Sequence, residues 1–436
     1  MQNADLYRIA MAQSCACYFA PISSEIKQRC GMIGMKKIGY LLHRFPEITD
    51  TFIKREIRSL QKSGTNVQVI AVWKPGISET TPEIMEQWAD ETHFILPRSL
   101  PSIVGVLFIS LVRSPIRVAR AFGLALSTSR PGLRGLVYQL IYFAEAVLAA
   151  HIMRRQAIDH VHNHIGDQSG TVTMLAASLA GIGYSITFHG WPVFFDAKYY
   201  RLKEKVLGAR FTRAISFFCR SQLMMFSERD DPSNFKVVHC GLSLDKYYYR
   251  PPKGAVRRIF CAARLSPQKG HAFLIRAMKV LIDQGHELEL RLAGDGSRKE
   301  HLTDLARELQ ILDRVRFLGF LTEDEVICEL QDSDLFVLPS FVEGLPVSAM
   351  EAMAIGVPVI ATNIAGTGEL IEDGKTGLLV RPSDSGALAN AILRMINDYD
   401  FRLRAAEFVR RKVEDEFDLE KECAKLNVFL LESCDD

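Results

Sequence analysis

The sequence predicts an α/β protein made of two Rossmann-like halves, each a doubly wound parallel sheet, facing one another across a cleft. Three observations predict it. Residues 258–396 alternate short apolar runs with longer amphipathic stretches, as strands joined by crossover helices do. Residues 38–239 repeat that alternation more loosely, around a long helical middle. Between them, residues 241–253 carry Tyr247, Tyr248, Tyr249 and the pair Pro251-Pro252, and read as a linker.

A chain of 436 residues can bury two separate cores of ordinary size. Lys and Arg total 53 against 51 Asp and Glu, a net charge of +2, which argues against the basic footprint of a nucleic-acid-binding protein. The nine cysteines are scattered without ligand or disulfide spacing, so a reducing, cytoplasmic setting is expected. Residues 1–34 show no periodicity and no signal-peptide pattern, and are expected to be a disordered or extraneous extension.

From Met35 onward the elements follow in order. Ile38–Leu42 reads as a strand, then the loop from His43 to Asp50, then a helix over 51–63 with Phe52, Ile53, Ile57 and Leu60 on one face and Gly64 at its end. Strands are expected at 67–73, 159–164, 184–189 and 236–239, with a helix over 174–180. In the second half, strands are expected at 258–265, 288–293, 315–318, 335–339, 357–361 and 378–380. Helices alternate with them at 272–284, 299–310, 323–331, 347–355 and 386–396. The domain boundaries are therefore 35–240 for the first domain, 254–410 for the second, and a last helix in 411–436 packing back towards the first. Two apolar stretches in the helical middle, 103–112 and 136–152, read as core helices, the first too short to span a bilayer and the second interrupted by Glu145. Arg98, Arg113, Arg117, Arg120, Arg130 and Arg134 surround them, which keeps peripheral contact with an anionic membrane as the alternative.

Residues with chemical potential fall just after the strands of the second half, where ligands bind such sheets. Arg264 and Lys269 lie in the loop after the first strand, and Gly294-Asp295-Gly296 follows the second. Glu343 and Glu351 flank the helix mouth after the fourth, with Pro346 suited to the first helical position. Gly366 to Glu369 follow the fifth. Glu351 should lie about 7 Å along its helix among Met350, Ala352 and Met353. A carboxylate there needs a partner, either a hydroxyl-rich ligand or a neighbouring Arg or backbone N–H. Two cations, free helix N-termini and glycines suit a diphosphate. Asp332-Ser333-Asp334 resembles a metal-binding triplet but fits a helix end better. His160, His162 and His164 share one strand face, yet no carboxylate motif accompanies them, so no metal is expected.

Taken together, ARLSPQKG (263–270), EGLPVSAMEA (343–352) and IAGTGELIEDGKTGLLV (364–380) resemble the retaining glycosyltransferases of family 4 (group 1), whose mark is the E-x7-E run. The resemblance implies the GT-B fold, a nucleotide-sugar donor, and no cofactor. In the N-terminal half, FPEITDTFIKREIRSL, YSITFHG and VVHCGLSLDKYYYRP look like the bacterial exopolysaccharide subgroup, such as the colanic acid glycosyltransferases. By resemblance, Arg264 and Lys269 neutralise the leaving diphosphate, Glu351 holds the ribose, and Glu343 lies at the transferred hexose. Gly294 and the backbone of Gly344, Leu345, Pro346 and Val347 complete the donor site, and His189 faces the sugar from the opposite domain. The family's glycine pair in the first loop is replaced here by residues 45–50. Thr49, Asp50 and Thr51 are therefore acceptor-side candidates, with an ordinary helix cap as the other reading. The implied partners are a UDP-hexose and a saccharide acceptor, lipid-linked at the inner face of a cytoplasmic membrane. A nucleotide-sugar epimerase, a phosphorylase and a catalytically silent nucleotide-binding subunit are the rival readings of the same fold.

Overall fold

Among the described residues every strand is parallel to its neighbours, and the two sheets they form explain where the loops of interest meet. A computed structural model describes residues 36–435 apart from Ser78, Trp191 and Pro192. The proposed extension at 1–34 lies outside the described residues.

The first sheet has seven strands in the order β3-β2-β1-β4-β5-β6-β7. These are β1 (Lys37–Arg44), β2 (Asn66–Trp73), β3 (Thr92–Phe94), β4 (His160–His164), β5 (Gly183–Phe188), β6 (Phe211–Ala214) and β7 (Phe235–Val237). The second has six in the order β10-β9-β8-β11-β12-β13. They are β8 (Arg258–Ala262), β9 (Glu289–Ala293), β10 (Val315–Gly319), β11 (Leu335–Leu338), β12 (Val359–Thr362) and β13 (Leu378–Val380). Strand order reverses at β1/β4 in one sheet and at β8/β11 in the other, and the loops beyond those points form the ligand crevices of such folds. The strands β1, β4, β8 and β11 are apolar or buried along nearly their whole length, as parallel strands covered on both faces must be.

The helix Thr51–Lys62 buries Ile53, Glu56, Ile57 and Leu60, so its inward stripe includes a carboxylate. The helix Leu133–Gln156 is long and apolar enough to cross a membrane by composition. Its second half is nonetheless core: Phe143, Ala146, Val147, Leu148, Ala149, Ala150 and Met153 are buried. The expectation of a core helix fails for residues 103–112. The helix Leu100–Arg113 buries only Ser110, because it packs on its neighbours along one edge and leaves its apolar stripe outside.

The chain passes between the two sheets twice, at residues 241–253 and again at Phe417–Asp418. The two crossings are bonded: the Leu242 amide donates to the Phe417 carbonyl at 2.8 Å, and the Leu419 amide to the Leu242 carbonyl at 3.0 Å. The boundary drawn at 410 falls inside a continuous helix, Tyr399–Glu416, which packs on the helix Val347–Ile355 of the second half. Only the following helix, Leu419–Glu432, returns to the first half, against Thr51–Lys62.

Candidate active site

Lys269 and Glu343 form the centre of the donor side. Lys269 ends a short turn after β8, Glu343 lies in the loop after β11, and Lys269 Nζ donates to Glu343 Oε1 at 2.7 Å. The pair therefore bridges the point where strand order reverses. The two loops are also knit by backbone, the Phe341 amide donating to the Gln268 carbonyl at 2.7 Å. Gly270 makes this approach possible: its φ is +64°, and a Cβ there would overlap the Pro339 carbonyl oxygen.

Around the pair, Arg264 is exposed and its side chain makes no hydrogen bond or ion pair among the described residues, so its charge is open to solvent. Gly294 packs its backbone against the Arg264 loop, where a Cβ would overlap the Ala263 carbonyl. Pro346 is the N-cap rather than the first helical residue, with ψ of 100°, and the helix begins at Val347. No side chain caps that end and no acid occupies its first turn, so its free N–H groups and dipole face the crevice unopposed. Gly344 and Leu345 connect Glu343 to this helix mouth, Leu345 being buried.

Glu351 sits further along, and the partner its burial demands is cationic. Its Oε1 accepts from Arg55 Nη2 at 3.3 Å and from the Tyr247 hydroxyl at 3.0 Å. Burial raises the Glu351 carboxyl above its ordinary range, and Arg55 and Tyr247 offset only part of that. Arg55 also pairs with Glu323 at 3.0 Å. Arg55, Glu323 and Glu351 line a cleft of about 1210 Å³ between the helix Thr51–Lys62 and residues 320–323 and 347–351. Thr49 and Thr51 line the cleft as well, but neither caps the helix: their hydroxyls donate to Glu47 Oε2 at 3.4 Å and to the Ile48 carbonyl at 3.3 Å. Asp50 is absent from the lining. Its carboxylate turns back to accept the Glu47 amide at 2.9 Å, and burial pushes it up to about 7.

The His189 ring is held by residues of its own half. Its Nε2 is 3.0 Å from His164 Nδ1, its Nδ1 is 3.9 Å from Cys240 Sγ, and Phe52 lies against the ring at 4.7 Å between centroids. Behind it runs a buried polar chain. His164 Nε2 is 3.0 Å from Glu56 Oε1, which also accepts the Tyr40 hydroxyl at 2.7 Å, while Glu56 Oε2 pairs with Arg213. Burial alone would raise the Glu56 carboxyl, but Arg213 and His164 outweigh it and hold Glu56 well below the usual range. An ionised Glu56 accepts a hydrogen bond from His164 Nε2–H, so His164 Nδ1 accepts from His189 Nε2–H and His189 Nδ1 carries no proton. Burial, reinforced by His164 and Arg213, holds His189 neutral by pushing its pKa well down.

The missing carboxylate near the strand histidines is thus Glu56, whose ligand atoms lie within 4.8 Å of those of His162 and His164. The set suits hydrogen bonding better than a metal. Arg213 already supplies the positive charge, and both His162 nitrogens are engaged, by Ser185 at 2.7 Å and Thr187 at 2.8 Å. Glu56 could have been found in the sequence as the one charge on the stripe Ile53–Ile57–Leu60. Arg55 and Tyr247 carried no such mark.

The halves also touch directly. A Cβ on Gly344 would overlap the His189 carbonyl oxygen, and one on Gly190 would lie 3.2 Å from Gly344 Cα. Glu369 reaches across to cap the helix Phe217–Ser227, accepting the Phe217 and Phe218 amides at 2.7 Å each.

The family model for glycosyl transferases group 1 matches residues 251–412, which contain Arg264, Lys269, Glu343 and Glu351. A putative colanic acid biosynthesis glycosyltransferase, WcaL of Salmonella typhimurium, is 27% identical over 409 residues, 87% of this chain and 96% of the relative. The UDP-Gal:alpha-D-GlcNAc-diphosphoundecaprenol alpha-1,3-galactosyltransferase of Escherichia coli is 25% identical over 300 residues, 63% of this chain and 76% of that enzyme. The fold matches Anabaena HepE, solved in complex with UDP-glucose, with a TM-score of 0.68 at 19% identity, over 91% of this chain and 99% of HepE. The donor-side residues thus sit in a segment that matches the glycosyl transferases group 1 family model, on a chain whose fold is that of the GT-B glycosyltransferases.

Proposed function

We propose that this chain transfers a hexose from a UDP-linked donor to a growing, lipid-linked exopolysaccharide oligosaccharide, with retention of anomeric configuration, at the inner face of a bacterial cytoplasmic membrane. The observation that carries the reading is the Lys269–Glu343 pair at the β8/β11 reversal, beside a helix mouth that no side chain caps. Lys269, the open Arg264 and the free N–H groups of Gly344, Leu345 and Val347 take the diphosphate. Their fixed charge acts where negative charge develops as the sugar leaves, so no divalent ion is called for. Glu351 accepts the ribose hydroxyls, which compete with Arg55 and Tyr247 for its oxygens. Glu343, oriented by Lys269, accepts from hydroxyls of the hexose. The acceptor hydroxyl oxygen bonds to the anomeric carbon on the face from which the phosphate departs. The carbon–oxygen bond to phosphate breaks in the same event, and the hydroxyl proton passes to the leaving phosphate oxygen.

Two similar proteins support the donor reading: HepE was solved with UDP-glucose, and a relative's name gives UDP-Gal and a diphosphoundecaprenol-linked acceptor. The WcaL relative supports the exopolysaccharide assignment. The test is thermal shift of the purified protein against UDP-, GDP- and ADP-sugars, followed by UDP release with saccharide acceptors. A UDP-hexose is expected to raise the melting temperature, and Lys269→Ala to lower turnover by about 10²–10³-fold. If no nucleotide sugar stabilises the protein, the donor site is misread. If a donor binds and is never consumed with any acceptor, the transferase reading falls while the donor site stands.

A further inference from the structure

We propose that the face made by the helices Leu100–Arg113, Pro115–Ser127 and the first turns of Leu133–Gln156 docks on a lipid bilayer carrying anionic headgroups. The three helices pack against one another, so their outer surfaces are continuous. In the first, Leu100, Val104, Phe108 and Val112 recur every fourth residue and are 72%, 57%, 66% and 67% exposed. That spacing places them on one side of the helix, facing solvent rather than core. Ile116, Phe122 and Leu126 continue the patch on the second helix, and Leu133, Val137 and Ile141 on the third. Isolated exposed apolar side chains are ordinary, but a contiguous set over three helices marks a contact surface.

Charge identifies what it contacts. The chain as a whole is nearly balanced, with a net charge of +2. Residues 92–144 nevertheless contain Arg98, Arg113, Arg117, Arg120, Arg130 and Arg134 and no Asp or Glu. None of the six forms an ion pair among the described residues, and all except Arg130 are exposed. Glu145, the first acid after the segment, is buried, and burial raises its pKa to about 7. An apolar stripe rimmed by arginines that no acid neutralises, though Arg117 and Arg130 also donate to the Ala180 and Tyr199 carbonyls, is complementary to acyl chains beneath anionic headgroups. The geometry keeps it at the surface. The first helix has 14 residues, short of the roughly 20 a span needs, and the second turns from it by 119°. A second copy of the chain is the rival occupant, but it would bring like charges together over the arginines.

The docking surface is independent of the donor and acceptor proposed above, so vesicle binding by a protein that moves no sugar leaves it standing. The experiment is co-sedimentation of the full chain with phosphatidylglycerol/phosphatidylethanolamine vesicles and with phosphatidylcholine vesicles, beside the variants Phe108→Glu/Val112→Glu and Arg113→Glu/Arg120→Glu. The wild type is expected to bind the anionic vesicles and release in high salt. Each reversed arginine should weaken binding at least fivefold, and the apolar pair should abolish it, with circular dichroism unchanged. Equal binding to both vesicle types, no binding at all, or a concentration-dependent dimer that the Phe108/Val112 variant dissolves would each overturn the proposal.

Discussion

Replacing Glu56 by Gln tests whether the buried chain behind His189 is electrostatic or merely space-filling. The Glu56 and Arg213 side chains are 5% and 3% exposed, so removing the carboxylate charge strands a guanidinium in the core. Breaking such a pair costs about 3–5 kcal/mol. At roughly 2–4 °C per kcal/mol for a domain of this size, melting should fall by about 6–20 °C. Because the folded Glu56 titrates well below its usual range, the deficit is present above about pH 4 and closes only as acid protonates the wild-type carboxylate. The double variant Glu56→Leu/Arg213→Met removes both charges and should recover most of the melting temperature. It leaves His164 Nε2 without its acceptor, so the His189 tautomer is no longer held and turnover should stay low. The assays are calorimetry and UDP release. A single variant melting within about 2 °C of the wild type refutes the ion pair, and a double variant with full turnover refutes any link from Glu56 to the reaction.

Three other perturbations read different parts of the molecule. Gly344→Ala puts a methyl into the His189 carbonyl. Turnover should fall about a hundredfold while circular dichroism is preserved, and normal turnover would show that this contact is absent in the working enzyme. Glu369→Gln weakens the cross-domain cap on Phe217–Ser227. The closed arrangement should lose about 0.5–2 kcal/mol, seen as a larger radius of gyration in small-angle scattering, and an unchanged radius would count against the cap. Asp50, raised to about 7 by burial, contributes stability below about pH 4 that is lost as pH rises through 7. Asp50→Asn should therefore raise the melting temperature at pH 8 and leave it unchanged at pH 4, whereas a pH-independent effect would remove titration as the cause.

The alternation of apolar and amphipathic runs placed the six strands of the second sheet within a few residues, because parallel strands covered on both faces announce themselves locally. Two strands of the first sheet were missed. Thr92–Phe94 is a three-residue edge, and Phe211–Ala214 contains Arg213, which reads as a solvated charge until Glu56, 157 positions earlier, is seen beside it. The same distance in sequence hid the partner of Glu351, since Arg55 lies 296 positions away. Lys269 and Glu343 were legible as separate candidates, but their 2.7 Å contact follows from strand order, which periodicity does not contain. For the helix Leu100–Arg113, apolar spacing revealed a face and not what the face meets.

The bonded pair of crossings at Leu242 and Phe417–Leu419 has a mechanical meaning. A single tether lets two bodies swing and twist in any direction. Two tethers fastened side by side leave one free rotation, about the line through them, as a door has about its pins. Opening of the cleft would then be a swing about the Leu242–Phe417 line, and sideways shear of one half past the other would be disfavoured. A hinge of that kind returns the two halves to the same register at each closure.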